Sequence, residues 1–115
     1  MTDSAQSDIF IYMQVSKHEL LAAESAALFR LLGDPNRIRI LQTLADTDEM
    51  CVHEIAEAVD TSETKVSQAL RLLRTAGVVR NRRDGRHIHY RLDDDHVRTL
   101  LAVTAQHLAH SAPRS

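Results

Sequence analysis

The chain has almost no aromatic residues, no tryptophan, one cysteine, two prolines and three glycines in 115 positions. Each shortage excludes something. A single cysteine, Cys51, rules out an internal disulfide and points to a reducing cytoplasm. With aromatics at 3%, the core must be built of Leu, Ile, Val and Ala, a composition that favours helices. No apolar run approaches the roughly 18 residues of a membrane span. The polar, acidic start MTDSAQSD is unlike a secretory signal. No low-complexity linker or internal repeat divides the chain, so a single domain is expected.

The charge is small in total and uneven in distribution. The net value is −2, yet residues 62–92 hold eight basic residues against Glu63 and Asp84. That segment is therefore +6 and the remainder −8. A face this basic in an acidic chain is the electrostatic footprint of a phosphate-binding surface, where an evenly mixed run would be an ordinary solvated one.

Punctuation divides the chain into short elements. Residues 1–16 read as a disordered tip followed by an apolar arm, IFIYMQV, which needs a partner surface. Residues 17–32 show a helical stripe of Leu20, Leu21, Ala27, Leu28, Leu31 and Leu32, ended by Gly33 as a C′ residue. Asp34-Pro35 restarts a helix as N-cap and first position, with Ile38, Leu41, Leu44 and Ala45 inward. After the polar break 46–49, a short helix over 51–59 turns its Val52, Ile55, Ala56 and Val59 inward. Residues 60–62 form a tight turn with a capping residue, and a further helix over 63–76 buries Val66, Ala69, Leu70 and Leu73 before Gly77.

Helix, three-residue turn, helix is the helix-turn-helix arrangement. The outward residues of its second helix are Thr64, Lys65, Ser67, Gln68, Arg71 and Arg74. Polar donors there suit base edges in a major groove, and the cations suit phosphates. Beyond Gly77 the period becomes two. Residues 78–83 and 86–92 read as strands joined at Asp84-Gly85, with Ile88, Tyr90 and Leu92 on one face and His87, His89 and Arg91 on the other. This two-stranded wing is tipped by Arg82, Arg83 and Arg86, which are candidates for phosphate or minor-groove contact. The expected class is a mainly α fold with a two-stranded β wing, a winged helix-turn-helix.

The last stretch, DDDHVRTLLAVTAQHLAH over 93–110, carries polar groups at both ends of an apolar helix whose middle holds Val97, Leu100, Leu101, Ala102 and Ala105. Asp94 and His96 stand at its start, His107 and His110 at its finish. Imidazole and carboxylate are common ligands of zinc and related metals. Eleven residues separate His96 from His107, roughly 16 Å along a helix, whereas a metal needs its nitrogens within about 2.1 Å. An antiparallel second copy resolves this. Facing positions then sum to a constant, and His96 with His107 gives 203 while Asp94 with His110 gives 204. One register makes both pairs, and two-fold symmetry makes the site twice. Two residues apart on a helix point to different faces, so Asp94 must be a non-helical N-cap to join His96, with Asp93 or Asp95 as substitutes. The competing reading is a C-terminal helix with solvated histidines favoured by the macrodipole.

The order of elements and five stretches resemble the ArsR/SmtB metal-sensing winged-helix repressors of bacteria. These stretches are LGDPNRIRIL (32–41), EMCVHEIAEAV (49–59), TKVSQALRLLRTAGVV (64–79), RRDGRHIHYRL (82–92) and the terminal helix. The resemblance covers residues 32–110. It implies a homodimer joined through its first and last helices, bound to double-stranded operator DNA when metal-free and released by a divalent metal. The D-x-H…H-x-x-H set of Asp94, His96, His107 and His110 resembles that of the zinc, cobalt and nickel sensors, with His107 relaying a hydrogen bond toward the DNA-binding core.

Four N and O ligands rank zinc first, cobalt second and nickel third; the tail 111–115 adds no histidine. Cys51-Val52-His53 departs from the cysteine pair of arsenic and cadmium sensors, so Cys51 reads as a small buried residue and His53 as a polar helix residue. His87 and His89 read as nucleic-acid or solvent facing. The expected organisation is an arm (1–16), a winged helix-turn-helix domain with its metal and dimer helix (17–110) and a tail (111–115). The expected setting is a bacterial cytoplasm, on operator DNA in the nucleoid, with no membrane and no small organic substrate. Two other readings differ in class. One is a winged-helix regulator answering to a partner protein or to Cys51 redox chemistry. The other is a metal-dependent hydrolase, for which no general base or open ligand position is visible.

Overall fold

The computed structural model describes the backbone of residues 3–111 and the side chains of residues 17–111. The order is α1 (Asp3–Leu32), α2 (Pro35–Ala45), β1 (Met50–Cys51), α3 (Val52–Val59), α4 (Glu63–Thr75), β2 (Val79–Asp84), β3 (His87–Leu92) and α5 (Asp95–His110). Residues 1–33 form one compact unit and 34–115 another.

In the first unit, one helix runs from Asp3 to Leu32, so the tip read as disordered is helical from Asp3, and the apolar arm, whose element type the sequence left open, continues the same helix. The apolar stripe is only partly covered. Leu20 and Leu21 remain exposed, Leu28 and Leu31 are half-buried, and only Leu32 is buried. Gly33 ends the helix without a left-handed backbone: its N–H reaches Arg30 O at 3.3 Å.

In the second unit the core forms where three helices and the sheet meet. Leu41 and Leu44 of α2, Ile55 of α3, and Val66, Leu70 and Leu73 of α4 are completely buried, each stabilising the fold by about 1.5–3 kcal/mol. Val78, Val79 and Leu92 extend this core to the wing. Ile40, not among the residues expected to face inward, is also buried, because α2 meets neighbours on a wider arc than one stripe. Asp34 caps α2 through its side chain, which accepts from Arg37 N–H at 3.0 Å. Arg39 donates to Val59 O and so ties α2 to the end of α3. Among the described residues no polar or charged side chain is buried, and no helix is long and apolar enough to cross a membrane.

The sheet has three strands in the order β1-β3-β2, all antiparallel. The wing hairpin therefore gains a third strand. Met50, which the sequence assigns to no element, and Cys51, expected as the start of a helix, pair with Tyr90 and His89, and α3 begins one residue later than expected. The hairpin loop is Gly85-Arg86, one residue beyond the expected turn, since Asp84 pairs with His87. Gly85 takes φ 64° while Arg86 does not turn positive, as a type II′ turn requires.

Candidate metal centre and nucleic-acid interface

The second helix of the motif is set by its ends. Ser62 Oγ accepts from Lys65 N–H at 3.1 Å and starts α4. Gly77, with φ 75°, stops it: Val78 N–H reaches back to Leu73 O at 2.9 Å and Gly77 N–H to Arg74 O at 3.0 Å. Between α3 and α4, Asp60 supplies the left-handed turn with φ 55°. With Val66, Leu70 and Leu73 sealed inside, the opposite face presents Thr64, Lys65, Ser67, Gln68, Arg71 and Arg74, all exposed. Thr64, Ser67, Gln68 and Arg71 border one open cleft along that face. His53 of α3 stands at the edge of the motif with a carboxylate on each ring nitrogen, Glu57 at 3.2 Å and Glu63 at 3.5 Å.

On the wing the three expected arginines divide. Arg83 and Arg86 are exposed and carry no ion pair among the described residues. Arg82 is held in a fork by Glu49, Nε to Oε2 at 2.7 Å and Nη2 to Oε1 at 2.7 Å. The Arg82 hydrogen bond keeps the Glu49 carboxyl below its ordinary pKa. Thirty-three positions separate the two, beyond the reach of any local pattern. Arg80, not singled out from the sequence, binds Asp93 at 3.0 Å and joins β2 to the link before α5. Arg98 joins α5 to the end of α2 through Ala45 O at 3.2 Å.

The three adjacent carboxylates have separate roles. Asp93 is taken by Arg80 and Asp95 by Arg98, each at 3.0 Å. Asp94 alone turns to a histidine. It sits at the N-cap in extended backbone, φ −156° and ψ −179°, where Oδ1 accepts from His96 N–H at 2.9 Å and Oδ2 lies 3.1 Å from His96 Nδ1. The hydrogen bond to His96 lowers the Asp94 pKa. With the proton on Nδ1, the ring keeps its Nε2 lone pair for a ligand. His107 and His110 lie in the last turn of α5, both exposed. The pair at the helix start and the pair at its end are not brought together in one chain. Among the described residues no three His, Cys, Asp or Glu side chains cluster to hold a metal. The donor set, three imidazoles and a carboxylate, nonetheless suits zinc or cobalt if two α5 helices supply it.

Residues 34–81 match the family model described as the bacterial regulatory protein, arsR family. Over 90 residues the chain is 42% identical to a transcriptional repressor SmtB homolog of Synechocystis sp., covering 78% of this chain and 67% of that protein. Over 86 residues it is 45% identical to the HTH-type transcriptional regulator KmtR of Mycobacterium tuberculosis, covering 75% and 65% respectively. The chain thus matches about two thirds of the length of these curated relatives. Among solved structures, the homodimeric winged helix-turn-helix DNA-binding domain of Mb0332 from Mycobacterium bovis is 30% identical, with a TM-score of 0.72 over 84% of this chain and 87% of that one. NolR from Sinorhizobium fredii is 33% identical, with a TM-score of 0.71 over 79% and 89%. The SmtB homolog and KmtR are named as regulators of transcription and Mb0332 as a possible one, which displaces the hydrolase reading. A winged helix-turn-helix with an exposed polar recognition face, matched over most of its length by such relatives, belongs to the ArsR/SmtB family of bacterial transcriptional regulators.

Proposed function

We propose that the protein is a cytoplasmic, metal-responsive repressor whose metal-free homodimer holds operator DNA and lets go when a divalent cation binds between the two α5 helices. Zinc ranks first, then cobalt, then nickel. Asp94 and His96 of one chain with the partner subunit's His107 and His110 form each site. The bound ion would supply a cross-link of nitrogen and oxygen ligands between the two helices.

The observation that carries this reading is the sorting of the aspartates. Arginines occupy Asp93 and Asp95, while Asp94 is free of them and orients His96, with no third ligand within the same chain's described residues. A half-site that only a second copy completes is what the antiparallel register demands. Exposed apolar residues on both terminal helices support the same assembly: Leu20, Leu21 and Phe29 on α1, Val103 and Leu108 on α5. Thr64, Lys65, Ser67, Gln68, Arg71 and Arg74 meet the major groove; Arg83 and Arg86 meet the flanking backbone, with Arg82 available once Glu49 lets go. His107 relays the metal state toward the DNA-binding core.

Cobalt absorption tests the site. Intense tetrahedral bands in the wild type, lost in His96→Ala, His107→Ala and His110→Ala, are the expected result. An octahedral spectrum moves nickel to first rank, and metal release of DNA that persists in His107→Ala removes the relay.

A further inference from the structure

A second cleft lies on the other flank of α4, and the reading above uses none of the residues that α2 contributes to it. It measures 210 Å³ and runs between the first turn of α2 and the recognition helix. Asn36, Arg37, Thr61, Lys65 and Gln68 supply its polar rim, over a floor that includes Leu72. Asp34 also borders it, but one of that side chain's oxygens is engaged in capping, accepting from Arg37 N–H at 3.0 Å. Two cations against one carboxylate leave the cleft positive, sized for a small anion. Pro35 has no N–H and the Arg37 N–H is already taken, so the helix end offers little beyond the Asn36 N–H, and the side chains of Asn36 and Arg37 carry most of any binding.

Its position selects the anion. Gln68 and Leu72 line both this cleft and the open recognition face with Ser67 and Arg71. A helix with its side chains is about 10–12 Å wide, and the major groove is about 12 Å wide. A seated helix fills the groove, and whatever flanks it meets the sugar–phosphate strand. On this flank that is the first turn of α2.

We infer that Asn36 and Arg37, together with Lys65, form a clamp for one backbone phosphate of the operator, a contact that bridges the first turn of α2 and the recognition helix. The inference rests on the DNA-binding reading proposed above. The clamp fixes how deep α4 sits and carries no base information.

The test compares the full-length wild type with Arg37→Gln and Asn36→Asp by fluorescence anisotropy, on operator and random duplex, between 50 and 200 mM salt. Arg37→Gln should weaken both duplexes alike and flatten the slope of log affinity against log salt by about one unit, so that its affinity falls ~3.5-fold less over that range. Asn36→Asp, an exposed position that accepts a carboxylate in the first helical turn, should weaken both duplexes in the same ratio. Arg37 has a further interaction within the chain, so melting curves accompany the measurement. If that variant unfolds early, Asn36→Asp decides alone. Variants that match the wild type in affinity and slope overturn the clamp while leaving the DNA reading intact. A changed operator-to-random ratio overturns it too, because the residues would then be reading bases. A folded wild type that binds neither duplex removes both readings.

Discussion

Helices α4 and α5 have similar lengths and opposite fates. α4 has five apolar residues in 13 and completely buries three of them. α5 has eight in 16 and fully buries none, leaving Val103 54% and Leu108 64% exposed. The more apolar helix is thus the less buried one. Apolar content measures how much surface must be covered; it does not say by which chain. α4 does most of its apolar packing within the protomer, leaving Leu72 as its one large exposed apolar side chain, and its outer face is otherwise polar. α5 carries a surplus that a single chain leaves open, as a helix built for a second copy should.

The largest expected effect falls on the self-sufficient helix. Leu70→Ala removes a completely buried side chain and should cost about 2–5 kcal/mol in denaturant unfolding. Next comes the ligand end of α5. His110→Ala should weaken cobalt binding by about 100-fold or more while the operator affinity of the metal-free protein stays unchanged. Leu108→Ala should leave the protomer folded and raise the dimer dissociation constant about tenfold, read by sedimentation. An unchanged dimer would break the contrast between the helices.

Smaller shifts would sharpen it. Glu49→Gln releases Arg82 and should steepen the salt dependence of DNA binding by about one unit, with little change in melting. Asp94 has its pKa lowered by His96, so the stability it gives the start of α5 is present in full above the ordinary aspartate value. That stability is lost as pH falls through the lower folded value. Carboxyl NMR should show a midpoint below the ordinary one in the wild type and a return toward it in His96→Ala.

Much of this was legible in the sequence because the signals are local. Asp34 as a cap, a further cap somewhere in 60–62, Gly77 as a stop, and Ile55, Leu70 and Leu73 as core follow from spacing of a few residues. The need for a non-helical Asp94 beside His96 could be reasoned from helix geometry, and the N-cap is where the side chain lies. What escaped depends on distant partners. Two residues, Met50 and Cys51, are too few to show a period, and they form a strand only because β3 offers an edge. The capture of Arg82 by Glu49 and of Arg80 by Asp93 joins segments that the fold alone brings together. Leu20 and Leu21 read as part of a stripe, and a stripe announces that it wants covering, not where its cover comes from.

The strand order has a consequence for the behaviour of the protein in concentrated solution. β3 is hydrogen-bonded on both sides, and β1 is only two residues long, so β2 is the one long free edge of the sheet. An unpaired strand of six residues is a template for adding another chain, the first step toward fibrous aggregates. β2 carries Arg80 and Arg82, paired with Asp93 and Glu49, and the exposed Arg83, so a second copy laid against it would have to cover two ion pairs and a further arginine. The positive charge that suits a DNA backbone also keeps the wings of free molecules apart, so neutralising these arginines would cost colloidal stability along with DNA affinity.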